Sequence, residues 1–184
     1  LQGDPTLKNA TMQEVSLNVR YKWLNLFAAY ERRDNTLTQL PYAYGNEGMV
    51  MIKRVNLTEP VRNLAVFLSA NPTFGIWSPN WTVGGQKFWN TMEFDDPRSE
   101  TGKVKDTYTK PIFFIDLNNT FRLPHRWQLE ANMNIMTKGD VINFRMQSAS
   151  YNLGFVVQKC WLKNDALCLR ASINDVLQRG TQTI

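Results

Sequence analysis

A strict two-residue alternation from Tyr151 to Val176 constrains this chain more than any other feature. In the first arm Tyr151, Leu153, Phe155 and Val157 alternate with Asn152, Gly154, Val156 and Gln158. In the second, Leu167, Leu169, Ala171 and Ile173 alternate with Cys168, Arg170, Ser172 and Asn174. A period of two puts an apolar row and a more polar row on opposite faces of a strand. Lys163, Asn164 and Asp165 between the arms have turn composition. A three-residue loop there sets Phe155 opposite Ile173 and Val157 opposite Ala171, so the apolar faces coincide. A two-residue loop would set apolar against polar throughout, so the faces themselves select the register.

That register places Cys160 directly opposite Cys168 on the polar face, and the chain has no other cysteine. In an oxidising compartment the two could close a cross-strand disulfide; two small reduced residues fit the pattern equally. Two thiols with no nearby histidine fall short of a metal-ligand set, so no metal and no cofactor is expected.

The same alternation recurs along the chain. Val15, Leu17, Val19 and Tyr21 turn near Lys22 into Leu24, Leu26, Ala28 and Tyr30. Met49 to Val55 is strand-like, and after Pro60 the pattern resumes at Leu64, Val66 and Leu68. It turns at residues 71–75 and returns through Trp77, Trp81 and Val83. Phe113, Ile115, Leu117 and Phe121 turn at Pro124 and His125 into Trp127, Leu129, Ala131, Met133 and Ile135. Residues 34–48 and 93–110, rich in turn formers and charge, read as long loops. A short break at 138–141 precedes the final hairpin, and the tail from Leu177 to Ile184 is polar.

The expected fold class is all-β: an antiparallel up-and-down meander of about eight strands, forming one unit over residues 1–184. Short turns near 22, 72–75, 123–125 and 163–165 face long loops at the other end, as in outer-membrane barrels. Trp23, Trp77, Trp127 and Trp161 all lie close to the short turns. Indoles at one level make an interfacial girdle, with an apolar ring in lipid and an N–H toward headgroups. Tyr30, Tyr42 and Trp89 mark the opposite rim less clearly. Alternation alone does not decide which face is inside, because a soluble sandwich and a membrane barrel share it with the faces exchanged.

Function classes narrow by what the residues do not form. Apolar runs are only a handful of residues long, far short of the roughly 20 needed for a spanning helix. The net charge of +5 comes from scattered Lys and Arg such as Arg32-Arg33 and Lys53-Arg54, not from a basic stripe, which argues against nucleic acid. His125, the one histidine, sits in a turn, and Asp95 with Asp96 makes a carboxylate pair on a loop. Asn9, Asn56, Asn80 and Asn118 each begin an Asn-x-Thr triplet, two of them inside strands, where chance explains the match. No phosphate loop, nucleophile elbow or metal spacing occurs. No catalytic residue is expected, the chain does not read as an enzyme, and no residue stands out as a ligand contact.

Two segments carry a resemblance. Gly3-Asp4-Pro5-Thr6-Leu7-Lys8 resembles the mid-barrel "GNPxLKPE" segment of TonB-dependent outer-membrane receptors, and among them the Bacteroidota outer membrane protein beta-barrel family. Residues Asn152 to Lys159, the short turn, and Leu167 to Leu177 are similar to that family's closing pattern. The chain departs from it at Asp4, where Asn is usual, and at Val176 and Leu177, where an aromatic is common. The resemblance implies the C-terminal part of a transporter barrel in the cell outer membrane, in contact with outer-membrane lipids. It also implies import of a bulky nutrient (a glycan, peptide or metal chelate), driven by TonB through a plug that these residues do not include. A surface lipoprotein is a further implied partner, and the loops 34–48 and 93–110 would face outside.

Two rival readings follow from the pattern. One is a complete small eight-stranded barrel with a structural or adhesive role, whose first and last strands must pair. The other is a soluble β-sandwich that binds carbohydrate through exposed Trp and Tyr, with a buried apolar face.

Overall fold

The computed structural model describes residues 7–44, 49–95 and 102–180. The Gly3–Thr6 part of the opening motif, Asp96 and the last four residues of the tail lie outside them. Among the described residues, eight strands form the continuous path of one nine-stranded antiparallel sheet. They are β1 (Thr11–Tyr21), β2 (Leu24–Asp34), β5 (Val61–Ala70), β6 (Trp77–Asp95), β8 (Ile112–Leu123), β9 (Trp127–Met136), β12 (Ser150–Trp161) and β13 (Leu167–Ile173). Each pairs with its neighbours in that order, the meander expected from the alternation. Among the described residues β1 pairs only with β2 and β13 only with β12, so the sheet is open at both edges.

The two stretches expected as long loops each contain a strand that closes a hairpin, the first with the strand-like stretch from Met49 to Val55 and the second with the far half of β6. Residues Leu37–Tyr44 (β3) pair with Met49–Asn56 (β4), Pro41 standing opposite Ile52. A two-stranded ribbon tolerates a proline, since half of each strand's N–H positions face an unpaired edge. The second hairpin is the far half of β6 with Lys103–Tyr108 (β7), from Asn90↔Tyr108 to Asp95↔Lys103. Its alternation is written in charge. Lys105 reaches Glu59 at 2.8 Å and Lys103 reaches Glu93 at 2.7 Å, so the pattern of an apolar strand is absent. The break expected at 138–141 is longer than that, running from 137 to 149. It contains a two-residue ladder between Gly139–Asp140 (β10) and Arg145–Met146 (β11). All three connections at this end are therefore long, against tight turns at the other.

The final hairpin has the register its faces demanded, Phe155↔Ile173, Val157↔Ala171 and Cys160↔Cys168. Cys160 and Cys168 are joined in a disulfide with their Cα atoms 4.1 Å apart. The second arm stops at Ile173, short of the Val176 expected. Asp175 then gathers a turn, its carboxylate accepting from the Arg179 and Gly180 amides, and Arg179 bridges back to Tyr151.

The open question of inside and outside is answered by exposure. The apolar rows are uncovered: Val15 is 75 % exposed, Leu169 66 %, and Leu64, Val66, Leu68, Phe113 and Phe155 are exposed as well. Among the described residues no second sheet lies on this face, which removes the sandwich reading. The opposite face carries Asn, Gln, Glu, Arg and Ser and is mostly half-buried. Exposed apolar outside and polar inside is the membrane-barrel arrangement. Strands β1, β2, β5, β8, β9 and β12, at 10 to 12 residues each, match a tilted crossing.

The conventional core is small and sits at the long-connection end. Leu57, Val61, Met92 and Tyr108 are buried together, with Val55 and Ile142 against them. This cluster ties the base of both projecting hairpins to the connection after β9.

Candidate functional site

Strand pairing arranges the polar face in rows across the sheet. Nearest the short turns, Arg122, Gln128, Gln158 and Arg170 stand side by side. Arg170 grips Glu130 with two guanidinium nitrogens at 3.1 and 3.3 Å, and Gln128 donates to the same carboxylate at 2.8 Å. Farther along, Asn80, Asn118 and Asn132 form one row and Asp116, Asn134 and Asn152 the next. Asn118 donates to Asp116 at 2.6 Å. These side chains satisfy one another laterally and keep their remaining hydrogen-bonding capacity for water or solute.

One row breaks the polarity. Phe27, Phe67, Gly84, Phe114 and Met136 are consecutive partners across β2, β5, β6, β8 and β9. Phe67 and Phe114 approach to 6.0 Å between ring centroids over Gly84. A Cβ on Gly84 would lie 2.4 Å from Phe67 Cδ1 and 2.4 Å from the Val66 oxygen, so only glycine lets the rings close over the strand.

Above this row, toward the long connections, lies a cavity of about 280 Å³. It is lined by Glu31, Arg33, Thr36, Val61, Asn63, Gln86, Phe88 and Ile142. Glu31 pairs with Arg33, and Gln86 donates to Asn63 at 3.1 Å. The Thr36 hydroxyl is buried with no partner, as is the side-chain oxygen of neighbouring Asn90, whose amide donates to the Ile142 carbonyl. Carboxylate, guanidinium, amides and an aromatic ring around one hollow suit a polar organic solute.

The roof of this region is held by Asp140, 1 % exposed. One oxygen accepts from the Thr109 and Lys110 amides at 2.8 and 2.9 Å, and the other accepts from Arg145 Nε at 2.8 Å. Burial raises the carboxyl's pKa, but the Lys110 amide, Arg145 and the Thr109 amide outweigh it and hold the group below the usual aspartate value. The same hydrogen bond raises Arg145, which also contacts Asp106 at 3.4 Å and the Thr107 carbonyl at 3.2 Å and lies over the Tyr108 ring. Burial, and then Asp106, push the Tyr108 phenol up.

The residues singled out by sequence scatter. His125 is an exposed turn residue at φ 59° whose carbonyl accepts from Lys159. Asp95 ends β6, away from the cavity. Asn80 and Asn118 face each other on the polar side, and Asn56 clamps Lys8 and the Asn35 carbonyl. The indoles do gather: Trp23, Trp127 and Trp161 are exposed at the short-turn end, and Trp77 stacks on Phe121 there at 6.2 Å. Trp89 and Tyr30 occupy the opposite rim of the apolar face, and the side chain of Tyr42 lies outside the described ones. The cavity and the Asp140 bracket were not legible in advance. The one available signal was Asp140 itself, a carboxylate beside Gly139 in a stretch with no alternation.

A model of the outer membrane protein beta-barrel family matches residues 1–184. No curated protein and no solved structure matches the chain.

Proposed function

We propose a transport role from one premise: the chain belongs to the outer membrane protein beta-barrel family and resides in the cell outer membrane. In this reading the eight strands are a sector of a larger barrel wall. Further strands complete its two open edges, and the barrel is that of a TonB-dependent receptor. The intact protein takes up a bulky polar nutrient and is energised by TonB through a plug held in the lumen. A surface lipoprotein is a fitting partner for the projecting hairpins β3–β4 and β6–β7. Binding and passage, not catalysis, is the work assigned to these residues.

The observation that carries the reading is the lumenal cavity between Glu31, Arg33, Asn63 and Gln86, set below those hairpins. Charged and amide side chains from three strands and the Thr36 hydroxyl converge on that hollow, which gives a polar solute groups to bind.

The test uses the intact protein in detergent with the purified C-terminal domain of TonB. A stoichiometric complex on size exclusion is expected. Absence of any complex, with the barrel shown folded by its heat-dependent gel migration, would overturn the TonB assignment.

A further inference from the structure

On the lipid-facing side, at the long-connection rim, Arg32 of β2 stands directly opposite Arg62 of β5, and Arg62 directly opposite Trp89 of β6. One row toward the short turns, Tyr30, Leu64 and Lys87 are consecutive partners. All six share the outward parity of Leu26, Val66, Leu68 and Val83, which are exposed apolar residues. Lys87 Nζ lies 4.9 Å from the Trp89 ring centroid. Three cations thus stand together on the boundary of the apolar belt, framed by two aromatic rings.

This arrangement is unfavourable for a bare sheet, since like charges directly opposite on neighbouring strands repel. Among the described residues, the nearby carboxylates cancel one of the three charges only, leaving Arg62 and Lys87 uncompensated. Asp34 takes Arg32 at 3.0 Å. Glu59 and Glu93, farther from the belt, are engaged by Lys105 and Lys103. Glu31 and Arg33 point to the polar face. The row keeps a net positive charge at the depth where lipid headgroups lie.

We propose that Arg62 and Lys87, beside the Asp34-held Arg32, form a binding site for the phosphorylated headgroup of a membrane lipid in the leaflet on the long-connection side. The Arg62 guanidinium grips phosphate oxygens with paired N–H donors, and Lys87 adds a point charge. The sugar or glycerol part of the headgroup rests on Tyr30 and Trp89, and the acyl chains run down Val66, Leu68 and Val83. The proposal rests on membrane residence alone and not on the transport reading.

Native mass spectrometry of the intact protein in non-ionic detergent tests it, with bisphosphorylated lipid A and its dephosphorylated form as probes. The bisphosphorylated lipid should be retained at least about tenfold more strongly, and raised salt should release it. The double variant Arg62→Gln/Lys87→Gln should lose about tenfold in retention, while Arg122→Gln on the polar face binds like the wild type. Arg62→Lys/Lys87→Arg keeps the charge and should keep binding, which separates loss of the site from loss of the fold. Equal retention of both lipids, or an unaffected Gln double variant, would overturn the proposal. So would displacement by millimolar inorganic phosphate, which would indicate a free-anion site.

Discussion

The carboxylate of Asp140 and the guanidinium of Arg145 meet at 2.8 Å, five residues apart in one connection, with the carboxylate buried and the guanidinium reaching outward. The pair closes the 137–149 connection on itself, while the second carboxylate oxygen fastens it to the amides of Thr109 and Lys110. The connection after β9 and the segment before β8 are therefore one unit.

That unit should respond to acid in a defined direction. Asp140 is held below its ordinary value, so its contribution is complete above about pH 4, the unfolded-state aspartate value, and is lost as pH falls through the depressed one. Exchange protection of the Thr109 and Lys110 amides, corrected for intrinsic rates, should stay level from neutral pH to about 5 and fall below about 4. Asp140→Asn should abolish that pH dependence and weaken the bracket by about 1–3 kcal/mol, because it removes the charged acceptor of two amides and leaves Arg145 only its longer carboxylate contact, to Asp106.

Gly84 sets the closure of the aromatic row. Gly84→Ala forces a methyl to within 2.4 Å of both the Phe67 ring and the Val66 oxygen, and should lower unfolding stability in detergent by about 1–3 kcal/mol. Trimming the ring with Phe67→Ala should recover little of it, since the Val66 oxygen is backbone and stays. Urea midpoints of the two single variants and the double variant measure this.

Asn119 is the polar exception on the apolar face of β8, and its side-chain oxygen accepts from both Trp77 and Trp81 Nε1 at 3.1 Å. Asn119→Leu removes the acceptor from two indoles at once. A loss of about 1–2 kcal/mol follows, with altered tryptophan near-UV circular dichroism. An unchanged spectrum would show that the two indoles do not depend on Asn119.

The disulfide between Cys160 and Cys168 spans eight residues of sequence, so the loop-entropy effect is modest, about 2–3 kcal/mol. Cys160→Ser/Cys168→Ser should lower the unfolding midpoint by that amount without changing the hairpin. Alkylation of the native protein without reductant should label neither cysteine.

The neighbouring Glu130–Arg170 pair provides the contrast. Arg170 is about half exposed to the water of the polar face, so Arg170→Ala should cost less than about 1 kcal/mol. A larger loss in the same urea titration would mean that the polar face is drier than its composition implies.

Sequence alone determined the strands of the apolar belt, their antiparallel order and the register of the final hairpin, because each rests on local physics. A period of two, a tight turn and the demand that apolar faces coincide are all written within a few residues, as in the pairing of Phe155 with Ile173. Strands β3 and β7 escaped because they stand clear of the apolar belt. No apolar face had to be buried there, so Pro41 and the Lys–Glu pairs were free to replace the alternation. Only the tertiary structure decided which face is outside, since alternation is symmetric and exposure is not. It alone also brought Glu31, Asn63 and Gln86 around one cavity and Arg32, Arg62 and Lys87 onto one rim. Those groupings join three separate strands across the sheet, and side chains so far apart in sequence acquire a common environment only when the strands pair.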